Sequence, residues 1–124
     1  MGGNTKTNPI SCQRVINIGN RKESIKMAKT DTQIVSEIKN YVGYDSYRNW
    51  YAGIASDPRA RLFNDHCVDE HNGLWVYDIA LNEQHARSAE NALLSSGFDG
   101  GNGGGDNTTV WVYAYKKGSN TQEK

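Results

Sequence analysis

The residues best suited to chemistry begin at Tyr51, which is followed by Gly53 and then by Arg61. Tyr51 and Gly53 are two positions apart, so they share one face if the segment is a strand. The missing side chain at Gly53 then leaves a notch beside the phenol that a phosphate can approach. The planar guanidinium of Arg61 suits a phosphate and the charge that builds on it in a transition state. This spacing indicates phosphoryl chemistry in which Tyr51 activates water or shuttles its proton.

Glu90 adds a carboxylate within a helical pattern. It shares a helix face with Ala86, Leu93 and Leu94, and we expect that face to pack on a sheet. A carboxylate in such a place is costly unless a cation or hydrogen bonds meet it. One Mg²⁺ (or Mn²⁺), held by this carboxylate, waters and a substrate phosphate, meets that requirement.

Alternating helices and strands are expected to position these side chains. Helix caps, apolar periodicity and β-rich runs predict, in chain order, a helix starting near Asp31, a strand over 50–55, a short helix from Asp57 to about Asp65, a strand over 74–80, a helix from Asn82 to about Ser95, and a strand over 109–115. The pattern predicts an α/β (α+β) fold, with a small, three-stranded, mainly antiparallel sheet flanked by helices. On the first strand, Trp50 and Tyr51 should point to opposite faces.

The domain is expected to occupy residues 27–117. Residues 1–26 are polar and lack periodicity, and Met27 follows a stretch that purine-only codons can encode, as in a translated ribosome-binding site. Residues 1–26 are therefore interpreted as either a disordered tail or a translated leader segment. Residues 118–124 are polar and are predicted to form a flexible tail.

Charge and cysteine content limit the function classes. Five of the 14 basic residues and one of the 14 acidic residues precede Met27, which leaves nine basic and 13 acidic residues, a net charge of −4. This acidity counts against an electrostatic nucleic-acid binder. No apolar run is long enough for a membrane span. Two cysteines, Cys12 and Cys67, do not make a disulfide framework, so reduced cysteines and a cytoplasmic location are expected.

Residues 51–61 resemble the second half of the GIY-YIG nuclease signature, in which a Tyr-x-Gly strand and a capped turn precede a helix with an arginine and often a histidine. Tyr51, Gly53 and Arg61 match this half in type and spacing. His66 follows a few residues later, and Glu90 matches the family's metal-binding carboxylate in position and context. The resemblance covers about residues 48–102.

The resemblance implies a divalent-metal-dependent endonuclease that hydrolyses DNA phosphodiester bonds. Tyr51 would be the base or the water-positioning group, Arg61 would hold the phosphate, and His66 would assist. Glu90 would bind Mg²⁺ or Mn²⁺. The same resemblance suggests substrate contacts from Gly53, Arg59 and Asn102. A domain this small would need a protein partner, a homodimer or a structured DNA to find its target.

Two features depart from the family pattern. No GIY strand precedes Tyr51, so the second tyrosine is either Tyr44, in Val42-Gly43-Tyr44, or Tyr113, if a permuted C-terminal strand fills that sheet position. His66 lies five residues after Arg61 rather than the usual four, which rotates it by about 140° on an ideal α-helix. Together with the acidic domain, these features leave a second hypothesis open. It is a non-catalytic interaction or small-ligand-binding protein on the same scaffold, with a mobile element as one source.

Overall fold

The computed structural model of the chain describes residues 27–101 and 104–123. Its main elements are, in order, α1 (Asp31–Val42), β1 (Trp50–Ala55), a π-helix (Ala60–Asp65), β2 (Trp75–Ile79), α2 (Glu83–Ser96) and β3 (Trp111–Lys116). The α+β fold and the element order predicted from the sequence are confirmed. The predictions made for residues 1–26 and for Asn102 lie outside the described residues.

Side-chain caps fix where the two α-helices begin. The Thr30 hydroxyl accepts from the main-chain N–H of Gln33, and the Gln33 side chain accepts from the N–H of Thr30, which forms a capping box. The cap of α1 is therefore Thr30, and Asp31 is the first residue of the helix. Asn82 caps α2 as predicted, by accepting from the N–H of His85 at 2.9 Å.

The last strand of the chain lies in the middle of the sheet. The strand order is β1-β3-β2, and β3 is antiparallel to both neighbours. Across the β1–β3 pair, Tyr51 lies opposite Tyr115 and Gly53 lies opposite Tyr113. Asp99, just beyond α2, exchanges main-chain hydrogen bonds of 2.8 and 2.9 Å with β1, which covers part of its outer edge. Residues far apart in sequence are thereby fixed on one sheet.

Each face of the sheet carries its own apolar cluster. One face packs against α1 and α2, with members that include Trp50, Ile54 and Val112. The other face is aromatic, and the π-helix covers it with Leu62 and Phe63. Trp50 and Tyr51 thus point to opposite faces, as the strand alternation predicted.

The segment after β3 folds back onto the aromatic face. The N–H of Gln122 donates to the carbonyl of His66 at 2.7 Å, and the Tyr115 hydroxyl donates to the Glu123 carboxylate at 2.9 Å. The flexible tail over residues 118–124 stays a prediction. In the structure, polar groups of residues 118–123 have hydrogen-bond partners within the domain.

Cys67 is disulfide-bonded. The prediction of a reduced thiol is therefore wrong, because a low cysteine count does not prevent one bridge from forming. The sequence has one other cysteine, Cys12, which lies outside the described residues.

Among the described residues, no helix combines the length and apolar character that a membrane span requires.

Candidate active site

Four aromatic side chains form a buried group on the second face of the sheet, which we call the tyrosine–histidine cluster: Tyr51, His66, Tyr113 and Tyr115. The ring of Tyr51 stacks on that of Tyr115 with centroids 5.3 Å apart, and it lies 4.7 Å from the imidazole of His66. Strand alternation puts the three tyrosines on one face, and the antiparallel register places them side by side.

His66 is fully buried and has a partner for each ring nitrogen. Its Nδ1 lies 2.6 Å from the carbonyl oxygen of Gln122, and its Nε2 lies 2.8 Å from the hydroxyl of Tyr113. A carbonyl only accepts hydrogen bonds, so this contact is satisfied when Nδ1 carries a proton. Burial is the main cause that lowers the pKa of His66 below its usual 6.5. In a neutral ring protonated at Nδ1, Nε2 is left to accept from Tyr113.

A π-helical turn brings His66 back to the side of Arg61. The N–H of His66 donates to the carbonyl of Arg61 at 2.8 Å, which is an i→i+5 hydrogen bond. Such a turn holds one residue more than an α-turn. The fifth residue after Arg61 therefore occupies the place that a fourth would take in an α-helix. The π-helical turn therefore compensates for the one extra residue that separates His66 from Arg61 relative to the GIY-YIG pattern.

Arg61 links the buried cluster to the surface. Its guanidinium donates to Asp65 at 2.9 Å, while its side chain remains 37% exposed. Its positive charge acts to lower the pKa of Tyr51 and of Tyr113. One cation thus faces both phenols, and part of it is accessible to a ligand.

A surface cleft of about 400 Å³ opens beside Arg61. Its walls come from the end of β1, the start of the π-helix and the loop before β3, and its lining residues include Ser56, Asp57, Arg61, Gly105 and Thr109. This volume lies within the range of small-molecule sites, which suits a nucleotide-sized group. Of the predicted site residues that the structure describes, Arg61 is the one that lines this cleft.

Both phenols are protonated at neutral pH. Burial raises the pKa of Tyr113 to about 12, although Arg61 opposes the rise. Burial also raises the pKa of Tyr51, again against the effect of Arg61. Neither phenol is a standing phenolate, so each can act only by passing a proton while another group accepts one. For Tyr113, that group is Nε2 of His66.

Glu90 is a buried carboxylate without a hydrogen bond or ion pair among the described residues. Burial raises its pKa above the usual 4.5, and Arg87 opposes this effect. Its negative charge contributes to raising the pKa values of Tyr51 and Tyr113, so it lies within electrostatic reach of both phenols. The predicted placement on the buried face of α2 is confirmed.

The notch predicted at Gly53 is filled by the protein itself. A β-carbon at this position would lie 2.5 Å from the Tyr113 hydroxyl oxygen. Gly53 therefore makes room for the Tyr113 ring from the paired strand. The predicted open notch is therefore absent, while contact of Gly53 with substrate stays a prediction.

Arg59 and Tyr44 do not join the cluster. Arg59 pairs with Glu70, and its guanidinium lies over the rings of Phe63 and Trp75, with centroid distances of 5.0 and 6.0 Å. These contacts direct Arg59 toward β2, so the structure does not support its predicted role in substrate binding. Tyr44 is fully exposed in the turn after α1. Of the two candidates for the second tyrosine, Tyr113 is the one that belongs to the same buried cluster as Tyr51.

Sequence reasoning missed the parts of the site that come from the chain's end. Tyr115 has a usable signal, because alternation along the last strand puts it on the face of Tyr113. The main-chain carbonyl of Gln122 has none, since any residue supplies that group.

Comparison of the chain with protein-family models, with curated proteins and with solved structures finds no match.

Proposed function

We propose that this chain is a divalent-metal-dependent endonuclease, similar to a permuted GIY-YIG nuclease, that hydrolyses DNA phosphodiester bonds. The observation that carries the proposal is the convergence of Tyr51, Arg61, His66 and Tyr113 at one place, with the Glu90 charge within electrostatic reach of both phenols. The permuted reading is supported by β3, which lies beside β1 and brings Tyr113 opposite Gly53.

The chain's own groups suggest a division of roles. Arg61 lines the cleft and holds the phosphate, and its charge stabilises the transition state. Tyr51 positions the attacking water. The water's proton passes to the Tyr113 oxygen as the Tyr113 proton moves to Nε2 of His66. The new phosphorus–oxygen bond forms as the bond to the leaving oxygen breaks. The leaving oxygen takes a proton from solvent, and His66 returns the proton it accepted to solvent through Tyr113.

Glu90 fits a role in holding Mg²⁺ or Mn²⁺. A buried carboxylate without a hydrogen bond is satisfied by a cation. No group of three or more His, Cys, Asp or Glu side chains able to hold a metal occurs within residues 27–101 and 104–123. The ion would therefore rely on one carboxylate, waters and the substrate phosphate. When bound, it supplies positive charge to the phosphate.

A second function is a non-catalytic interaction or small-ligand-binding protein on the same scaffold. Two observations favour it: the net charge of −4 from Met27 onward, and the near-complete burial of His66 and Tyr113.

The expectation of a cytoplasmic location depends on reduced cysteines. Because Cys67 is disulfide-bonded, and such bonds persist in oxidising compartments, the cysteine content no longer supports that location.

A cleavage assay decides between the two functions. Plasmid and branched DNA are incubated with the protein and Mg²⁺ or Mn²⁺, and the wild type is compared with Tyr51→Phe, Arg61→Ala and Glu90→Ala. We expect metal-dependent nicking or cutting by the wild type and a loss of at least about 100-fold in each variant. Absence of cleavage by the wild type, or equal cleavage by all variants, would rule out the nuclease.

A further inference from the structure

Residues 118–123, which we call the C-terminal strap, hold His66 by two main-chain contacts from one residue. The carbonyl of Gln122 accepts from Nδ1 of His66 at 2.6 Å, and the N–H of Gln122 donates to the carbonyl of His66 at 2.7 Å. The strap thus binds both the ring and the backbone of the same histidine. This pairing fixes the position of the imidazole relative to Tyr113.

The strap is itself shaped by a short turn. The Thr121 hydroxyl accepts from the N–H of Gly118 at 2.9 Å and donates to the Glu123 carboxylate at 2.7 Å. The same Glu123 oxygen accepts from the hydroxyl of Tyr115 at 2.9 Å. The two bonds of Thr121 shape the strap from within, and the bond from Tyr115 to Glu123 anchors it to β3 directly after Gln122. The carbonyl that meets His66 is therefore held in place before any ligand binds.

We propose that the main-chain carbonyl of Gln122 is a positioning group that fixes His66 as the Nδ1–H tautomer. A neutral imidazole has one protonated nitrogen and one acceptor, and the hydrogen bond of one sets the other. The Gln122 contact leaves Nε2 free to accept from Tyr113. In the opposite tautomer, Nε2 would donate, and Tyr113 would lose its proton acceptor. The consequence for catalysis rests on the proposed nuclease function, but the tautomer assignment does not.

Several charged or titratable groups face His66, and any pH titration of its ring reports on them as well: Arg61 and Asp65 from the π-helix, Tyr51 from β1, Tyr113 and Tyr115 from β3, and Glu123 from the strap. The Tyr115 hydroxyl is the alternative group that could accept the hydrogen bond of Nδ1, because it lies 3.2 Å from that nitrogen. Its proton goes to Glu123, so its oxygen is a second acceptor near Nδ1.

The test is the tautomer of His66, read from long-range proton–nitrogen NMR spectra of the ¹⁵N-labelled full chain, with His71 and His85 as internal references. We expect a neutral Nδ1–H ring from pH 7 to 8. A chain ending at Lys117 should lose that tautomer. Tyr115→Phe and Gln122→Ala should keep it, because both retain the Gln122 carbonyl. An Nε2–H ring in the full chain, or loss of Nδ1–H only in Tyr115→Phe, overturns the proposal.

Two further measurements test the proposal if the shortened chain does not fold, and separate it from the proposed nuclease function. If the shortened chain does not fold, Thr121→Ala loosens the strap and should shift the His66 nitrogen signals toward the other tautomer, while unchanged signals contradict the proposal. If the full chain cleaves DNA, the shortened chain should lose kcat by on the order of 10²–10⁴-fold with KM within about threefold. If the full chain cleaves nothing, the nuclease proposal fails, and the tautomer spectrum still decides the positioning claim.

Discussion

Tyr113 occupies the space that a side chain at Gly53 would need. Their positions are opposite each other on paired strands, and a β-carbon at Gly53 would lie 2.5 Å from the phenolic oxygen. The alignment of Tyr113 with His66 therefore depends on a glycine two residues after Tyr51.

Gly53→Ala should displace the Tyr113 ring and destabilise the fold by about 1–3 kcal/mol, because the added methyl overpacks a filled space. Urea unfolding followed by tryptophan fluorescence measures the change. Gly104→Ala is the control, since a β-carbon there meets no atom within 4 Å. A Gly53→Ala variant as stable as the wild type would contradict the close packing.

Tyr113→Phe should reduce DNA cleavage by on the order of 10²–10⁴-fold, because it removes the hydroxyl between Arg61 and His66. The lost buried hydrogen bond should cost about 1–3 kcal/mol of stability, so the variant remains folded. Tyr44→Phe, at the exposed alternative tyrosine, should cleave like the wild type. If Tyr44→Phe lost cleavage and Tyr113→Phe cleaved like the wild type, Tyr44 would be the second tyrosine.

Glu90→Gln should raise the thermal midpoint at pH 7 in the absence of divalent metal. Burial raises the pKa of Glu90, so its contribution to stability is full below pH 4.5 and is lost as pH rises through the folded-state pKa. Mg²⁺ or Mn²⁺ should then stabilise the wild type and leave the variant unchanged, as seen by differential scanning fluorimetry. An equal effect of metal on both proteins would place the ion elsewhere.

The stability of the domain should depend on His66 between neutral and mildly acidic pH. Burial lowers the pKa of its ring in the fold, so the unfolded chain binds the proton more readily. The contribution of neutral His66 to the free energy of unfolding is full above pH 6.5. It is lost as pH falls through the folded-state pKa, by up to about 1.4 kcal/mol per pH unit. Urea titrations from pH 5 to 8 should show this slope in the wild type and a flatter one in His66→Gln.

Cys67 should be unreactive toward iodoacetamide in the native, unreduced protein, because it is disulfide-bonded. Addition of a reductant should expose the thiol and lower stability by about 2–4 kcal/mol. Intact mass before and after alkylation gives the thiol count, and thermal melts give the stability. Cys67→Ser is the control and should melt at the same temperature with and without reductant.

The sequence predicted the elements well because their signals are local. The cap at Asn82, the alternation over Trp50–Ala55 and the buried face of α2 each depend on neighbours in the chain. The arrangement around His66 depends on contacts that no local pattern encodes. An ideal α-helix would have turned His66 away from Arg61, and the i→i+5 turn reverses that outcome.

The strap illustrates the same limit. A polar segment of this composition is typical of a free terminus, yet Gln122 contributes main-chain atoms whose role is independent of residue type. Likewise, the sequence predicts an opening at Gly53, because no local pattern identifies Tyr113 as its partner across the strand pair. Long-range register decides whether a missing side chain leaves space or receives a neighbour.

The central place of β3 also has a consequence for how the protein is made. β1 and β2 pair with β3 and not with each other, so both lack a partner until residues 111–116 have left the ribosome. The sheet therefore forms only after β3 has been made, and until then the strand edges of β1 and β2 that pair with β3 can bind other chains. Tyr51 and Arg61 are translated before Tyr113, so the nascent protein cannot assemble its site until β3 emerges.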